Sequence, residues 1–349
     1  MAGKVRLSVL IVTHNQSNIL RFQIAALENQ AGILPSELEV IVTDDASEVK
    51  DVKQIEAILS QTALSSRLLQ QRGERFWAAR ARNRAIACAR GEVLLFLDGD
   101  MIPEVDVGAK HVARHAFLEK RIVAGNRLRK DIPLQAMVDL SSDDDMLPRL
   151  RKHEISDPLI AQKQHDEACR RSAFLQSCHN WRVVLSCHMS VPAAPEVCFD
   201  EQFRGWGLED WEFAYRLTQH HGYSAHFAPE IIAYEVDQLG RGVGDLFRAD
   251  ARGRRTEIID YLQNVFYFLD RCPGLAVEEV CEILRRVKLE GDQIAIVPRA
   301  LDCDLREHVG SIRKWLVEHH RFTCSKREAD RGSEVPEHRQ SRQVAKQPG

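Results

Sequence analysis

The sequence predicts an α/β protein: a Rossmann-like, doubly wound and mostly parallel sheet with a C-terminal helical extension. In the N-terminal part, short apolar segments typical of buried strands alternate with amphipathic segments of helical period. The strand-like segments end on polar or acidic residues, as expected where parallel strands meet a ligand crevice. After residue 256 the pattern is helical only, which predicts the extension.

The N-terminal elements follow from the spacing of apolar residues. Strands are predicted at residues 7–12, 38–43, 67–69 and 93–97, and helices at residues 19–30, 49–59 and 78–89. The strand 93–97 is short, continuous and apolar, which favours a central strand covered on both faces. Strands separated by helices of this length require right-handed crossovers and therefore a parallel sheet.

The second part of the chain is less regular. Residues 127–177 are polar and are predicted to be irregular, with one helix at 159–174. Strand character returns at 181–191, and helices are predicted at 209–220, 256–270, 276–288 and 301–320. Residues 323–349 are polar and lack periodicity, which predicts a disordered tail.

Composition and charge restrict the class of protein. The 349 residues are 44% hydrophobic and 28% charged, ordinary values for a globular chain with a substantial core. The net charge of -3 indicates no nucleic-acid partner. No apolar run approaches the ~20 residues that span a bilayer, and the N-terminus has no cleavage-site pattern, so we expect no integral membrane segment and a cytoplasmic protein. The nine cysteines include no C-x-x-C pair, which favours reduced thiols.

Two acidic clusters follow successive predicted strands. Asp44 and Asp45 come after the second strand, and Asp98 and Asp100, one glycine apart, come after the central strand. Because such strand ends lie side by side in an open sheet, these carboxylates are expected to meet over one crevice. A divalent cation there would offset their repulsion and neutralise a diphosphate. The alternative is a pair of polar turns, since Asp and Gly are common turn residues.

Arginines are frequent between the two acidic clusters. They are Arg72, Arg75, Arg80, Arg82 and Arg84. Guanidinium groups offer planar donors for phosphate or carboxylate. We assign most of these arginines to a solvated helix face and expect Arg80 and Asn83 to be the pair that faces the crevice.

A second group of candidate site residues precedes the predicted helix 209–220. Gly205 and Gly207 permit a tight backbone around Trp206, whose flat apolar ring is of the type that stacks on a sugar. Glu209 and Asp210 stand at the start of the helix. They are capping acids in one interpretation and a general base in the other, and the two roles are compatible.

The motifs and their order resemble a known family. They are T-H-N at 13–15, D-D-A-S at 44–47, A-R-N at 81–83, L-D-G-D at 97–100 and FDEQFRGWGLEDWEFAYRL at 199–217. Together they are similar to the inverting family-2 glycosyltransferases of the GT-A fold. The last motif also resembles the galactosyltransferase-like and chondroitin-polymerase-like members with G-W-G-x-E-D. The resemblance covers residues 5–237.

The resemblance implies a metal-dependent, inverting hexosyltransferase. The donor would be a nucleotide sugar, with a UDP sugar expected, and the acceptor a glycan, a small molecule or a peptide. Residues 1–125 would form the nucleotide-sugar-binding half of a GT-A domain and residues 126–237 its acceptor and catalytic half. A flexible Gly/Arg loop at 238–255 and a helical extension at 256–322 would follow.

Roles carry over by position in the motifs. The resemblance implies that Asp45 contacts the nucleoside, Asp98 the ribose or metal, and Asp100 the metal that bridges the diphosphate. Asp210, with Glu209 beside it, would be the catalytic base. The other residues expected to bind the donor are Thr13, Asn15, Arg80, Asn83 and Trp206.

One position departs from the family pattern. Where many members have a histidine that completes the metal site, this chain offers Glu235. A carboxylate there would suit Mn²⁺ or Mg²⁺, both hard cations that prefer oxygen ligands. His226 is the other candidate for the third ligand.

Two other functions remain open at this stage. A sugar-1-phosphate nucleotidyltransferase would also use carboxylates and a metal, but the first strand is not followed by the glycine-rich phosphate loop expected of it. A non-catalytic sugar- or peptide-binding module with a degenerate site is motivated by Glu235. The Gly/Arg loop at 238–255 is either a lid over the bound donor or a simple linker.

Overall fold

The computed structural model describes residues 4–73, 76–117, 119–132, 145–175, 180–236, 255–272, 282–297 and 299–319. Nearly all of the expected Gly/Arg loop, and the expected tail at 323–349, lie outside these ranges. The strands are β1 (Leu7–Thr13), β2 (Leu38–Asp45), β3 (Ser65–Gln71), β4 (Val93–Asp98), β5 (Met101–Pro103), β6 (Arg121–Lys130), β7 (His188–Pro192), β8 (Ser224–Val236), β9 (Val287–Glu290) and β10 (Gln293–Ile296). The helices are α1 (Ser17–Glu28), α2 (Val49–Gln61), α3 (Ala78–Cys88), α4 (Val107–Arg114), α5 (Met146–Lys152), α6 (Pro158–Leu175), α7 (Glu209–His220), α8 (Arg255–Arg271) and α9 (Leu305–His319).

Eight strands form one mixed, mostly parallel sheet in the order β3-β2-β1-β4-β7-β6-β8-β5. β3, β2, β1 and β4 are parallel neighbours, which confirms the predicted α/β class. β7 is antiparallel to both β4 and β6, whereas β6 and β8 are parallel. The registers Thr13↔Asp44 and Val12↔Asp98 bring the ends of β1, β2 and β4 to one edge, as predicted.

The central strands are buried on both faces, as the apolar run in β4 predicts. Leu10 and Phe96 point into one buried cluster, which also contains residues of α3, α7 and α8. Ile11 and Leu95 point into a second cluster on the other face, with residues of α1 and α2. Phe266 of α8 is fully buried in the first cluster, so this helix of the C-terminal extension packs against the sheet domain.

Several predicted elements differ from the structure. The polar segment from residue 127 continues strand β6, whose arginines are held by carboxylates and therefore break the apolar alternation on which the prediction depends. The expected strand 181–191 is a short 3-10 helix, Asn180–Val183, followed by β7. Where the sequence predicts the end of a helix at 288, the chain enters the antiparallel pair β9–β10.

The described residues were compared with a membrane-spanning helix and with disulfide pairing. None of the described helices is both long and apolar enough to cross a bilayer. The cysteines of the described residues are all free thiols, as predicted.

Candidate active site

Strained backbone conformations mark one edge of the sheet. Among the described residues, three residues other than glycine have a positive φ: Asn15 (53°), Ala46 (58°) and Leu208 (71°). Asn15 follows β1, Ala46 follows β2 and Leu208 precedes α7. The left-handed region costs such residues about 1–3 kcal/mol, and strain of this kind accumulates at functional sites.

The loops after β1 and β2 are tied together at this edge. The backbone N–H of Asn15 donates to Ser47 Oγ at 2.8 Å, and the Glu48 N–H donates to Asn15 Oδ1 at 2.8 Å. Thr13, at the end of β1, is buried, and its Oγ1 has no hydrogen-bond partner among the described residues. Thr13 and Asn15 therefore both lie at the strand ends, as expected.

Asp45 is buried and fully engaged. One carboxylate oxygen accepts a hydrogen bond from the Gln71 side-chain amide, and the other accepts from the Trp77 backbone N–H at 2.6 Å. Trp77 immediately precedes α3. The carboxylate thus holds the start of α3 against the end of β2. The sequence predicted a contact between Asp45 and the nucleoside but did not predict this structural role.

The Asp98-Gly99-Asp100 turn closes against β1. The Gly99 N–H donates to the Val12 carbonyl at 2.8 Å, and a Cβ added at Gly99 would lie 2.7 Å from Thr13 Oγ1. Only glycine fits this approach. Asp100 accepts a 3.3 Å hydrogen bond from the Gln16 side chain, so both aspartates lie at the carboxyl end of β4 as predicted.

Burial, and after it repulsion from neighbouring carboxylates, determines the electrostatics around Asp100. Burial, the neighbouring Glu235 and Asp98 raise the pKa of Asp100 to about 8, and Arg127 partly offsets them. A bound cation would relieve this crowding, because it favours the charged form of each carboxylate. The oxygen ligands of Asp98 and Asp100 therefore fit a hard cation such as Mn²⁺ or Mg²⁺.

Glu235 is near Asp100 but is already paired. Its Oε1 accepts from Arg129 Nη1 at 2.7 Å, and its Oε2 lies 3.1 Å from Arg127 Nε. Within the described part of the chain, no three His, Cys, Asp or Glu side chains are arranged to hold a metal ion. Asp98 and Asp100 are the residues that would hold a cation at this edge, and ligand and water would supply the other oxygen atoms.

His226 does not belong to this site. It is exposed near the start of β8, in register with Val123, whereas Glu235 is near the other end of the same strand, in register with Met101. At about 3.3 Å per residue the two positions are far apart. The alternative third ligand is therefore wrong.

The most buried arginine of the site is one that the sequence analysis assigned to solvent. Arg82 of α3 is 3% exposed, and it donates to Asp98 Oδ1 and to Glu209 Oε1, each at 2.9 Å. These carboxylates raise its pKa against the opposing effect of burial. Its helical spacing from the small buried residues Ala78 and Ala85 is the signal that identifies the inward face.

Arg80 and Asn83 are not the inward pair. Arg80 is exposed, with its guanidinium carbon 4.9 Å from the centroid of the Trp77 ring. The Asn83 side chain donates to the Phe199 carbonyl at 2.9 Å and accepts from the Phe199 N–H at 2.7 Å, so it holds the loop before α7. The expectation that both face the crevice is wrong for Arg80, and for Asn83 the observed contacts are structural.

Glu209 and Asp210 begin α7, as predicted, and they differ in environment. Glu209 is buried against Arg82, whereas Asp210 is partly exposed and accepts a 2.9 Å hydrogen bond from the Trp211 N–H. Burial and the charge of Glu209 raise the pKa of Asp210 to about 7, and Arg82 limits the rise. A carboxylate with a pKa near neutrality is suited to general base catalysis.

Helix α8 holds the Gly-Trp-Gly loop against the sheet domain. Gly205 and Gly207 have φ values of 70° and 102°, which favour glycine. Trp206 stacks on Tyr261 of α8, with ring centroids 5.4 Å apart. The Asn264 side chain donates to the Gly207 carbonyl at 3.0 Å. Part of the Trp206 ring is thus engaged within the protein, and its stacking on a sugar stays a prediction.

Comparison with solved structures supports the fold class that the order and direction of the strands indicate. A crystal structure of S. aureus TarS 1-349 in complex with UDP-GlcNAc aligns with a TM-score of 0.51 and 15% identity, over 91% of this chain and 74% of that chain. At this identity the likeness shows the fold alone. The eight-stranded, mostly parallel sheet is that of the GT-A glycosyltransferases.

The sequence comparisons find similarity to glycosyltransferases. Residues 8–177, just under half of the chain, match the model of Glycosyl transferase family 2. The hyaluronan synthase of Pasteurella multocida is 28% identical over 253 residues, which are 68% of this chain and 25% of that protein. An uncharacterized glycosyltransferase, YfnE of Bacillus subtilis (strain 168), is 33% identical over 122 residues, or 35% of this chain and 30% of YfnE. The chain thus spans about a quarter to a third of these relatives.

Proposed function

We propose that the protein is a metal-dependent, inverting glycosyltransferase that moves a hexosyl group from a UDP sugar to an acceptor hydroxyl. The observation that carries the proposal is Arg82, which connects Asp98 at the donor edge of the sheet with Glu209 beside Asp210. The buried guanidinium group of Arg82 thereby fixes the turn that carries Asp98 relative to Glu209 and the neighbouring Asp210. The family-2 domain and the names of its relatives support the reaction class.

The donor is proposed to bind over the ends of β1, β2 and β4. Asn15 and Asp45, at the ends of β1 and β2, are proposed to line the nucleoside site together with the buried Thr13. Asp98 and Asp100 would hold a Mn²⁺ or Mg²⁺ ion, which would supply positive charge to the departing diphosphate. Glu235 is proposed to position Arg127 and Arg129 at this edge, because its carboxylate is paired with both.

Asp210 is the proposed general base. It would accept the proton of the acceptor hydroxyl while the hydroxyl oxygen forms a bond to the anomeric carbon of the donor. The bond from that carbon to the diphosphate oxygen breaks with its electron pair leaving on the diphosphate. Attack from the face opposite the leaving group inverts the configuration, as a single displacement requires. Glu209, held by Arg82, positions Asp210 and helps keep its pKa near neutrality.

Asp210→Asn tests this proposal. With UDP-glucose and UDP-N-acetylglucosamine as donors and Mn²⁺ present, we expect UDP release to fall by at least ~100-fold, the usual scale for a missing general base. UDP affinity, measured by calorimetry, should stay unchanged. In the wild type the rate should rise with pH through about 7, because the base acts as the carboxylate and its pKa is about 7.

The control is Asp106→Asn, which removes a surface carboxylate paired with Lys110 and should leave turnover unchanged. Undiminished UDP release in Asp210→Asn would contradict the assignment of the base. UDP binding without any turnover in the wild type would favour the non-catalytic sugar-binding module, which the pairing of Glu235 with two arginines keeps as the second candidate.

A further inference from the structure

Helix α6 is held to the sheet mainly by charged and polar side chains. Among its described side chains, Ile160 is the only apolar one that is fully buried, and Phe174 is half-buried. Between them, the side chains that contact β6 are Gln164, Glu167 and Arg171. Helices in proteins obtain most of their stability from the packing of an apolar face. The polar contacts of α6 therefore determine how firmly this helix is docked.

Glu167 is at the centre of these contacts. One of its carboxylate oxygens pairs with Arg127 Nη2 and lies 3.8 Å from Arg129 Nη2. The other pairs with Arg171, one helical turn further along α6. The side chain of Glu167 is 12% exposed, so its charge depends on these partners more than on water. We call Glu167, Arg127 and Arg129 the α6 latch.

The arginines of the latch are shared with the edge of the sheet that is proposed to bind the donor. Arg129 donates to Glu235 Oε1 at 2.7 Å, and Arg127 Nε lies 3.1 Å from Glu235 Oε2. Glu235 is in register with Met101, the residue after Asp100. The two guanidinium groups therefore lie between α6 on one side and the carboxylates of the candidate metal site on the other.

The C-terminal part of α6 reaches the surroundings of the candidate base. The guanidinium carbon of Arg182 lies 4.9 Å from the centroid of the Phe174 ring and 5.3 Å from that of Trp211. Trp211 directly follows Asp210, and its backbone N–H donates to the Asp210 carboxylate at 2.9 Å. Helix α6 thus extends from the candidate metal site to the candidate base, and a movement of this helix would change the surroundings of both.

A diphosphate at the donor edge would compete with Glu167 for the arginines. Phosphate oxygens accept bidentate, charge-assisted hydrogen bonds from guanidinium groups, and a diphosphate carries more charge than one carboxylate. Arginines drawn towards the diphosphate leave Glu167 with Arg171 as its remaining cation among the described residues. A buried carboxylate that loses its partners is costly, and an outward movement of α6 would expose Glu167 to water.

We propose that the α6 latch opens when the diphosphate of the donor binds, so that α6 is docked in the empty protein and loosened in the donor complex. Glu167 releases Arg127 and Arg129, which turn to the phosphate oxygens. The inference rests on the proposed binding of the donor next to Asp98 and Asp100, and it adds a conformational step to that function. Because linkage is reciprocal, a latch that stabilises only the docked state also lowers the affinity for the donor.

Hydrogen exchange of the full chain, measured by mass spectrometry with and without UDP and Mn²⁺, tests the inference. We expect the amide hydrogens of residues 158–175 to exchange at least ~5-fold faster in the complex, the lower end of the usual coupling between two sites. Those of β1 and β2 should exchange at the same rate or more slowly, because bound ligand protects the strand ends. This comparison uses the wild type alone and does not depend on any variant.

Glu167→Gln opens the latch without a ligand, because it keeps the size of the side chain but removes the charge that holds the arginines. We expect residues 158–175 of this variant to exchange as fast as in the wild-type complex, with no further change on adding UDP and Mn²⁺. Its affinity for UDP in the presence of Mn²⁺, measured by calorimetry, should rise at least ~5-fold. The matched control is Asp166→Asn, which changes an exposed carboxylate of the same helix and should leave exchange and affinity unchanged.

Unchanged or slower exchange of α6 in the wild-type complex would overturn the inference. So would a UDP affinity of Glu167→Gln that is equal to or below that of the wild type, and so would equal effects in Asp166→Asn. Tighter UDP binding by Glu167→Gln without faster exchange of α6 would show an effect of charge alone and would also contradict the latch. If the wild type releases UDP from a UDP sugar while α6 exchanges at one rate throughout, only this inference fails and the proposed function stands.

Discussion

At the scale of single residues, buried charges at the candidate site are balanced by partners from distant parts of the chain. Arg82 is fully enclosed and joins Asp98 to Glu209, 127 positions away from it in the sequence. Glu235 is joined in the same way to Arg129, 106 positions away. Removing one member of such a group leaves the others charged and poorly solvated, which is more costly than losing a surface ion pair.

Replacing Arg82 should destabilise the protein strongly. Arg82→Met keeps the length of the side chain but leaves Glu209 buried without its cation, so we expect the free energy of unfolding to fall by about 3 kcal/mol. Arg82→Lys keeps the charge but cannot hold both carboxylates in the same way. The free energy of unfolding should therefore fall less in Arg82→Lys than in Arg82→Met. Urea unfolding at pH 7 measures both. A change below about 0.5 kcal/mol for Arg82→Met, the range of ordinary surface substitutions, would contradict this role.

Asp100→Asn should remove metal-dependent donor binding. The variant keeps the volume and the hydrogen bond from Gln16 but loses the charge that a divalent cation requires. We expect the gain in UDP affinity on adding Mn²⁺ to disappear, while melting temperature without ligand is kept or raised, because the charged carboxylate is crowded by Asp98 and Glu235. Calorimetry with UDP, with and without Mn²⁺, measures it. Retained Mn²⁺-dependent affinity would place the metal elsewhere.

At the scale of elements, helix α8 orders the loop that leads into Glu209 and the proposed base, Asp210. The loop passes so close to α8 that a Cβ added at Gly207 would lie 2.8 Å from the Tyr261 ring, and one added at Gly205 would lie 2.7 Å from Asp260 Cβ. Asn264 donates to carbonyl groups on both sides of Trp206. The C-terminal extension therefore packs against the loop that precedes the candidate residues Glu209 and Asp210, a contact that the glycines and the helical pattern of the sequence do not by themselves indicate.

Gly207→Ala should displace this loop. Both the φ of 102° and the contact with Tyr261 oppose a side chain, so we expect the free energy of unfolding to fall by at least about 1 kcal/mol. Turnover, measured as UDP release from the UDP sugar, should be slower, and the affinity for UDP should be unchanged. Gly310→Ala is the matched control. Gly310 lies within α9, and an added Cβ meets nothing within 4 Å, so the substitution should stabilise by about 0.4–1 kcal/mol. Equal effects of the two substitutions would rule out a contact-specific role for Gly207.

At the scale of the whole molecule, three buried histidines join helix α4 to the sheet. His111 of α4 and His115, which directly follows this helix, approach the Oγ of Ser190 at 2.7 and 2.8 Å, and His111 Nε2 lies 3.2 Å from His188 Nε2. Burial lowers the pKa of His111 well below its usual value, that of His115 to about 4 and that of His188 to about 3. His115 and His188 are therefore neutral in the folded protein at pH 5, where they would be protonated in the unfolded chain.

This cluster should make the protein sensitive to acid. The stabilisation is complete above pH 6.5, the usual histidine value, and is lost as the pH falls towards the folded-state values, at about 1.4 kcal/mol per pH unit for each histidine. The raised pKa values of Asp100 and Asp210 act in the opposite sense. The difference between wild type and a single histidine variant therefore isolates the effect.

His115→Asn removes one titrating ring and keeps a polar side chain near Ser190. We expect the stability of the wild type relative to this variant to fall by about 2 kcal/mol between pH 6.5 and pH 5, measured by urea unfolding at each pH. A pH-independent difference would show that the ring titrates alike in the folded and unfolded chains.

The net charge of the chain differs in sign from the local charge around Trp77. The value of -3 led us to expect no polyanionic partner of the nucleic-acid type. The fold nevertheless gathers Arg80 and Arg204 on Trp77 without an anionic partner among the described residues. The net charge alone does not determine which ligands bind, because the field that a ligand meets depends on the nearest charges more than on the total.

The sequence by itself determined the features that depend on local patterns. Apolar runs and turn residues identified β1, β2 and β4, the aspartates at the end of β4, and a helix whose predicted bounds agree with α7, Glu209–His220. These features follow from periods of two and 3.6 residues and from acids at strand and helix ends, all readable within a short window.

Only the tertiary structure decided which charged groups meet. That Arg82, and not Arg80, faces the carboxylates depends on how α3 packs against the sheet, and that Glu235 is held by Arg129 depends on the parallel register of β6 and β8. The strand β6 was itself missed, because the partners that permit its arginines to be buried come from α6 and β8. Pairings between residues about a hundred positions apart have no local signal, since the energy of each charge is set by neighbours that only the fold brings together.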